Sequence, residues 1–270
     1  MTVLVAITYW RCAPWVERAV RSVLAQTHRD LACVVIGDGE VPPLAGIRDD
    51  RLVVYSYPTN RGAYFAQDVA ILASPFEWYA PVAADDWVDP DHLEQLLAHE
   101  ADVACGALRY HNEHHCPGDP GHESCQGTIV RKAYEVGIYR TERYREIGAH
   151  NPGERLGQDS LTLKVMRIVA PVGASTVPTY NRLGRAGSLC TDPTTDIRSP
   201  ARIEMRHRNR AIVARCEDIA ASPPVRNDRA AKAARIRRYR ESLVPPALAL
   251  ELEGRVDGLR SQLGRQAVAA

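Results

Sequence analysis

The stretch EWYAPVAADDWVDPDHL, residues 77–93, predicts a short buried strand that runs directly into acidic residues. Its apolar part ends just before Asp85 and Asp86, and Asp89 precedes a helix that Pro90 is predicted to begin. In open α/β sheets, ligands bind at the carboxyl ends of the strands. Carboxylate oxygens clustered there suit a hard divalent ion such as Mg²⁺ or Mn²⁺, which in turn suits phosphate oxygens. The stretch therefore predicts a metal and phosphate site at a sheet edge.

The N-terminal residues predict the sheet to which this strand belongs. Residues 2–8 (TVLVAIT) form the continuous apolar run that is typical of a strand buried on both faces. Residues 13–27 carry their apolar side chains along one helical stripe, and residues 31–40 (LACVVIGDGE) predict the next strand. Because strand, helix and strand follow one another within about forty residues, the two strands are predicted to be parallel.

The elements downstream continue this α/β pattern. Strands are predicted at 51–57 and 103–110, with a return to the sheet at 169–177, and helices at 63–73, 140–147 and 159–168. The predicted fold is therefore an α/β domain in which a mainly parallel sheet is flanked by helices.

The charge distribution divides the chain at about residue 199. The net charge is +1, but residues 201–241 hold eleven Arg and one Lys against five acids, a surplus of seven that leaves the remainder at −6. We expect a domain at 1–199 and an Arg-rich helical extension at 200–270. The basic face of the extension could bind nucleic acid or anionic lipid, could be solvated, or could pair with an acidic surface of a partner. The terminal stripe is a candidate oligomerisation element or packs on its own chain; it comprises Leu248, Leu252, Val256, Leu259 and Leu263.

Cysteine usage and hydropathy indicate the compartment. The seven cysteines are odd in number and form no CxxC pair, which favours a reducing cytosol over a disulfide framework. No apolar run approaches the ~20 residues of a membrane helix. The chain begins directly with a predicted core strand, so no signal peptide is expected. We therefore expect a cytoplasmic protein.

Four segments, taken in this order, resemble family-2 glycosyltransferases with the GT-A fold. The resemblance covers residues 2–189, and its opening unit is VLVAITYW with the helix and strand that follow it. The other segments are NRGAYFAQDVAI at 60–71, PVAADDWVDPDHLEQLL at 81–97 and LGQDSLTLKV at 156–165. None of the four is specific by itself, whereas their order and spacing together are.

The resemblance implies an inverting, hexosyltransferase-type enzyme that moves a sugar from a nucleotide-sugar, with UDP-sugars favoured, to an acceptor hydroxyl. The acceptor is a glycan, a protein or a lipid-linked molecule, and homo-oligomers through the C-terminal helices are expected. In that comparison, Asp159 is the catalytic base that accepts the proton of the hydroxyl. The alternative for Asp159 is a helix N-cap, because Asp is favoured at that position for local reasons.

The resemblance also assigns the donor-binding residues. Asp85 is the expected ligand of Mn²⁺ or Mg²⁺ and contacts the nucleotide, whereas the sugar contacts are Asp86, Trp87 and Gln158. The remaining nucleotide contacts are Thr8, Tyr9, Asp38, Asn60, Gly62, Arg182 and Arg185. Three positions depart from the family pattern: Ala83 stands where an Asp is usual, Gln158 where a Glu is usual, and Gly37 where an acid usually precedes Asp38. Ala83 puts the metal affinity in question.

Two other functional classes are kept open. Ala83 motivates a catalytically weak protein that binds nucleotide-sugars, and the basic extension motivates a nucleic-acid or membrane role. Residues 111–125 form a segment with six potential zinc ligands, although their spacing matches no standard finger. In the GT-A fold this region is expected to shape acceptor choice instead. The six residues are His111, His114, His115, Cys116, His122 and Cys125.

Overall fold

A computed structural model of the chain describes residues 1–112, 128–196 and 198–269. The side chains of residues 128–135 and 265–269 are outside that description. Five of the six residues proposed as zinc ligands, at positions 114, 115, 116, 122 and 125, therefore lie outside the described residues. His111 is the exception, and it is buried at the end of a strand.

Eight strands of the described ranges form one sheet. They are β1 (Val3–Tyr9), β2 (Leu31–Asp38), β3 (Leu52–Tyr57), β4 (Trp78–Ala83), β5 (Trp87–Val88), β6 (Val103–His111), β7 (Thr128–Arg140) and β8 (Val172–Leu183). Their order across the sheet is β3-β2-β1-β4-β7-β6-β8-β5. The pairings of β1 with β2 and β4, and of β2 with β3, are parallel. The other half combines parallel and antiparallel pairs.

Helices cover both faces of this sheet. Over the same ranges they are α1 (Val16–Leu24), α2 (Ala63–Ala73), α3 (His92–Leu97), α4 (Thr141–Glu146), α5 (Gln158–Val169), α6 (Pro200–Ala221), α7 (Arg229–Glu241) and α8 (Pro246–Ala269). The predicted α/β fold with C-terminal helices is confirmed. No helix among the described residues has the length and apolar character needed to cross a membrane.

Strand β1 shows how the sheet divides the interior. Val3, Val5 and Ile7 join an apolar cluster with α1 and α3, whereas Leu4 and Ala6 join a second cluster with α2 and the C-terminal helices. Successive side chains of a strand point to opposite faces of the sheet. The uninterrupted apolar run of β1 is therefore explained by helices packed on both sides.

The sequence predicts the N-terminal elements better than the later ones. Helix α2 has the predicted bounds of 63–73, but β8 extends beyond its predicted end at residue 177. Strand β7 has no counterpart in the sequence prediction, because TIVRKAYEVGIYR interrupts its apolar residues with charges. Its antiparallel partner β4 lies more than forty residues earlier, and residues 112–127 separate it from β6, so a short sequence window carries little information about it.

The C-terminal helices pack on their own chain. Buried residues of all three, among them Cys216, Ile236 and Leu259, belong to the apolar cluster that contains α2 and α5. Arg208 of α6 pairs with Glu154 at 2.7 Å, and Arg229 of α7 pairs with Glu146 of α4 at 2.8 Å. Of the two alternatives for the terminal leucine stripe, packing on the same chain is the one observed. The division into two domains at residue 199 stays a prediction.

The packing of α8 predicts that Leu259→Ala destabilises the protein. Leu259 is fully buried, and truncating such a side chain removes apolar contacts and leaves a cavity, at a cost of about 2–5 kcal/mol. Leu250 lies on the same helix and is 71% exposed, so L250A is the matched control. The free energy of unfolding, measured by urea denaturation, is expected to fall for L259A only. Equal stability of the two variants would contradict this packing.

Candidate functional site

Asp85 and Asp86 follow β4 directly, as predicted, but they lie in different surroundings. Asp86 is buried, and its carboxylate accepts hydrogen bonds from the Tyr180 hydroxyl at 2.7 Å and the Leu183 amide at 2.8 Å. Burial, followed by repulsion from Asp85, raises the pKa of the Asp86 carboxyl to about 7. Because both of its oxygens accept hydrogen bonds from β8, Asp86 connects that strand to the turn at Asp85 and Asp86, which we call the acidic turn.

Asp85 is only partly buried and forms an ion pair. Its Oδ2 accepts a hydrogen bond from Arg185 Nε at 2.7 Å, and its main-chain oxygen accepts from Arg18 Nη2 at 3.0 Å. The same Arg185 guanidinium contacts the Cys12 sulfur at 3.2 Å and stacks 4.6 Å from the Trp15 ring centroid. Burial, followed by the charge of Asp85, raises the pKa of the Cys12 thiol to about 11. Sequence reasoning did not identify Cys12 or Arg18.

The protein atoms around Asp85 could hold a metal ion only together with the phosphate oxygens of a bound substrate. Among the described residues, no group of three or more His, Cys, Asp or Glu side chains could hold a metal ion. Asp86 is committed to Tyr180 and Leu183, which leaves Asp85 as the carboxylate that could bind a cation there. Mg²⁺ is commonly held by one or two carboxylates together with substrate phosphates. The residues present are consistent with that arrangement.

Two further predicted residues lie beside the acidic turn. The Trp87 ring is 3.9 Å from the Arg18 guanidinium and 4.7 Å from the His111 ring. Arg182 follows along β8 and donates from Nη2 to the Cys190 sulfur at 3.2 Å. Arg182 interacts with the charge of Asp86, and Arg185 forms the ion pair with Asp85.

Asp38 organises the turn that precedes α2. It is buried at the end of β2, and its carboxylate accepts from Asn60 Nδ2 at 2.9 Å and from the amides of Arg61 and Gly62 at 2.7 Å each. Gly62 has a φ of +98°, a conformation that favours glycine. The carboxylate predicted to contact a nucleotide base is therefore engaged by the turn, and its contact with a nucleotide stays a prediction.

Asn60 joins this turn to the loop that leads into α5. Its side-chain oxygen accepts from Arg155 Nη1 at 2.8 Å, and its main-chain oxygen accepts from Arg155 Nη2 at 3.0 Å. Thr8 and Tyr9, the other predicted nucleotide contacts, end the neighbouring strand β1. Tyr9 is buried, and burial followed by the charge of Glu40 raises the pKa of its phenol.

Asp159 lies in the first turn of α5 and does not cap the helix. The N-cap position belongs to Gly157, and no side-chain capping hydrogen bond is found there. Instead, Asp159 Oδ1 accepts a hydrogen bond from the Tyr64 hydroxyl at 3.0 Å. The local explanation for an Asp at this position therefore does not apply. The preceding residue, Gln158, is fully buried, and its Oε1 accepts from the Asn151 amide at 3.2 Å.

A buried polar network that sequence reasoning missed lies behind Tyr64. The His150 ring is 5.1 Å from the Tyr64 ring, and Asp68 Oδ1 accepts from His150 Nδ1 at 2.8 Å and from the His150 amide at 2.9 Å. The Tyr144 hydroxyl lies 2.7 Å from His150 Nε2. Tyr64 and Asp68 are four residues apart and share one face of α2. A buried Asp in an alanine-rich helix is the signal that could have revealed the network.

The two acids of greatest interest lie at the same edge of the sheet. Asp85 follows the carboxyl end of β4. Strands β1, β2 and β3 run in the same direction as β4 and end at the same edge of the sheet. Helix α2 begins at this edge after β3, and its first turn carries Tyr64, which contacts Asp159. The other predicted contacts at this edge are Thr8, Tyr9, Asp38, Asn60 and Gly62.

Comparison with known proteins identifies a family. The sequence model described as Glycosyl transferase family 2 matches residues 4–154, which is more than half of the chain. Among curated proteins, the succinoglycan biosynthesis protein ExoO of Rhizobium meliloti is 30% identical over 110 residues, which are 39% of this chain and 31% of ExoO. The glycosyltransferase GlyA of Streptococcus pneumoniae is 23% identical over 120 residues, which are 41% of this chain and 17% of GlyA. The chain thus matches less than half the length of these relatives.

Solved structures share the fold. The crystal structure of residues 1–349 of S. aureus TarS in complex with UDP-GlcNAc aligns with a TM-score of 0.63 at 15% sequence identity. The alignment covers 89% of this chain and 72% of the TarS chain. At this identity the likeness concerns the fold, and it includes the helices that follow the sheet.

The contacts of Asp38 predict that Asp38→Asn destabilises the protein. The amide nitrogen of Asn cannot accept a hydrogen bond, so buried donors of the turn lose partners at a cost of about 1–3 kcal/mol. D30N is the matched control, because Asp30 is exposed and its ion pair with the N-terminus spans 3.6 Å. Urea denaturation should show a lower free energy of unfolding for D38N but not for D30N. An unchanged D38N would show that the turn does not depend on this carboxylate.

Proposed function

Because the chain belongs to glycosyl transferase family 2 and is a transferase, we propose that it moves a sugar from a nucleotide-sugar to an acceptor hydroxyl with inversion at the anomeric carbon. The observation that carries this proposal is the common sheet edge of Asp85 and Asp159. A reaction of this kind needs a base for the hydroxyl on one side of the sugar and a counter-charge for the departing diphosphate on the other. The two acids supply candidates for both.

A UDP-sugar is the donor that we favour. The support is the TarS structure with UDP-GlcNAc, which shares the fold with this chain. The nucleotide would lie against the carboxyl ends of β1 and β2. Thr8 and Tyr9 lie at the end of β1, and the turn bound by Asp38 lies beside the end of β2. The fully buried Gln158 would need its loop to open before it could contact the sugar, so Trp87 is the better placed of the two proposed sugar contacts.

Asp85 and Arg185 would receive the diphosphate together. Asp85 would hold Mn²⁺ or Mg²⁺, and a bound ion supplies positive charge that stabilises the leaving phosphate oxygens. Arg185 is a fixed cation on the same carboxylate, and its guanidinium matches phosphate geometry. With an ion on Asp85, Arg185 would leave its ion pair with Asp85 and would contact the diphosphate instead.

Asp159 would act as the base. Its carboxylate takes the proton of the acceptor hydroxyl, the hydroxyl oxygen bonds to the anomeric carbon, and the bond from that carbon to the diphosphate breaks. The proton ends on Asp159, and the electron pair leaves with the nucleoside diphosphate. Because the attack comes from the side opposite the leaving group, the configuration is inverted.

A catalytically weak nucleotide-sugar-binding protein is the second candidate. It is favoured by one observation, which is that Arg185 already neutralises Asp85 while Ala83 provides no second acid. Donor hydrolysis with and without Mn²⁺ separates the two candidates. The acceptor, a homo-oligomeric state, a role of the basic helices toward nucleic acid or membranes and the cytoplasmic location all stay predictions.

The role of Asp159 predicts that Asp159→Asn abolishes turnover and leaves donor binding intact. Asn keeps the oxygen that accepts from Tyr64 but cannot take a proton, and general base catalysis contributes about 10²–10⁴-fold. Turnover is measured as hydrolysis over a panel of nucleotide-sugars with Mn²⁺, and UDP affinity is measured by calorimetry. The control is D218N, at an exposed position of α6. A wild-type rate in D159N, or an equal loss of UDP affinity, would refute the role.

The role of Asp85 predicts that Asp85→Asn removes the metal dependence of donor binding. Asn still accepts from Arg185 but has no charge for the cation, so the gain in UDP affinity on adding Mn²⁺ should fall about tenfold, or 1.4 kcal/mol. Affinities are measured with Mn²⁺ and with EDTA, and D257N on α8 is the control because Asp257 is exposed. An unchanged response to Mn²⁺ in D85N would exclude Asp85 as the ligand.

A further inference from the structure

We propose that Tyr64 is a positioning residue for the base, a role that rests on the proposed function of Asp159. Its hydroxyl donates to Asp159 Oδ1 at 3.0 Å. A donor on one carboxylate oxygen fixes the orientation of the group and directs the second oxygen, Oδ2, toward the incoming acceptor hydroxyl.

The phenol is suited to remain a donor. Burial, followed by the charge of Asp159, raises the pKa of Tyr64 well above its ordinary value. The hydroxyl therefore stays protonated through the pH range in which an acid–base enzyme works. The charge of Arg202 on α6 acts on the phenol in the opposite direction but does not outweigh burial.

The ring of Tyr64 is held from behind. It packs on the His150 ring, and His150 is fixed by Asp68 through two hydrogen bonds of 2.8 and 2.9 Å. With a proton on Nδ1, the Nε2 atom accepts from Tyr144, so a neutral imidazole satisfies all of these contacts. Asp68 and His150 are each about 1–2% exposed. Polar groups so deeply buried and fully paired make a rigid support.

The main chain of Tyr64 is fixed by the turn that precedes α2. Tyr64 is the second residue of α2, and the turn before it is fixed by the contacts of Asp38 with the Arg61 and Gly62 amides. The ring and the main chain are thus both fixed before a substrate binds. A base supported in this way needs little reorganisation at the moment of reaction.

The test is Tyr64→Phe, which removes one oxygen and keeps the ring that packs on His150. Loss of orientation should lower kcat for hydrolysis of the best UDP-sugar of the panel by about ten- to a hundredfold. The loss should appear in kcat and not in KM, because Tyr64 contacts the base. UDP affinity should match that of the wild type, which also shows that the variant is folded.

The control is Y239F, which removes a phenol hydroxyl from α7 on the outer helices, and it should leave both kcat and KM unchanged. The double variant Y64F/D159N should be no slower than D159N alone, because Tyr64 acts through Asp159. A wild-type kcat in Y64F, while D159N is inactive, would overturn the proposal. So would a further loss in the double variant or a matching loss of UDP affinity. An active D159N would instead refute the function of the base itself.

Discussion

The parallel pairing of β1 with β2 on one side and β4 on the other is the constraint on which the site depends. Parallel neighbours require a crossover between them, and the crossovers place helices on both faces of the sheet. The same pairing brings the strand ends to one edge. Asp38 at the end of β2 and Asp85 after β4 are more than forty residues apart in sequence, yet both follow strands that pair directly with β1. The chemistry is assembled by the direction of the strands.

Sequence patterns predicted those elements whose structure is determined by residues close together in the chain. The strands of the N-terminal half are apolar on both faces, and α2 is bounded by a glycine turn at one end, so their types and positions follow from short windows. Asp85 and Asp86 were found because they follow a buried strand. The structure places Asp85 in a partly buried ion pair and Asp86 in a buried contact with β8. This difference was not foreseen, because it depends on Tyr180 and Arg185, which lie about a hundred residues away in sequence.

The unforeseen parts share one property, which is a partner distant in the chain. Strand β7 is defined by antiparallel neighbours, and Tyr64 becomes relevant to the site only when α5 places Asp159 beside it. The same holds for the C-terminal extension. Its buried Arg240 donates to the Ile147 main-chain oxygen at 2.9 Å, and burial lowers the pKa of this guanidinium. A charge surplus read from composition does not distinguish such an internal cation from a surface one.

The loop around Asn60 connects parts of the molecule that are otherwise separate. Arg155 holds it from the segment before Asp159, and Arg61 pairs with Glu251 of α8 at 2.7 Å. At Gly62 a methyl group would lie 3.3 Å from the Arg155 side chain, on a backbone that L-residues rarely adopt. Homologous chains with a larger residue at this position would have to shift this loop, the segment before Asp159 and helix α8 together. The three regions are therefore expected to vary as one unit during divergence.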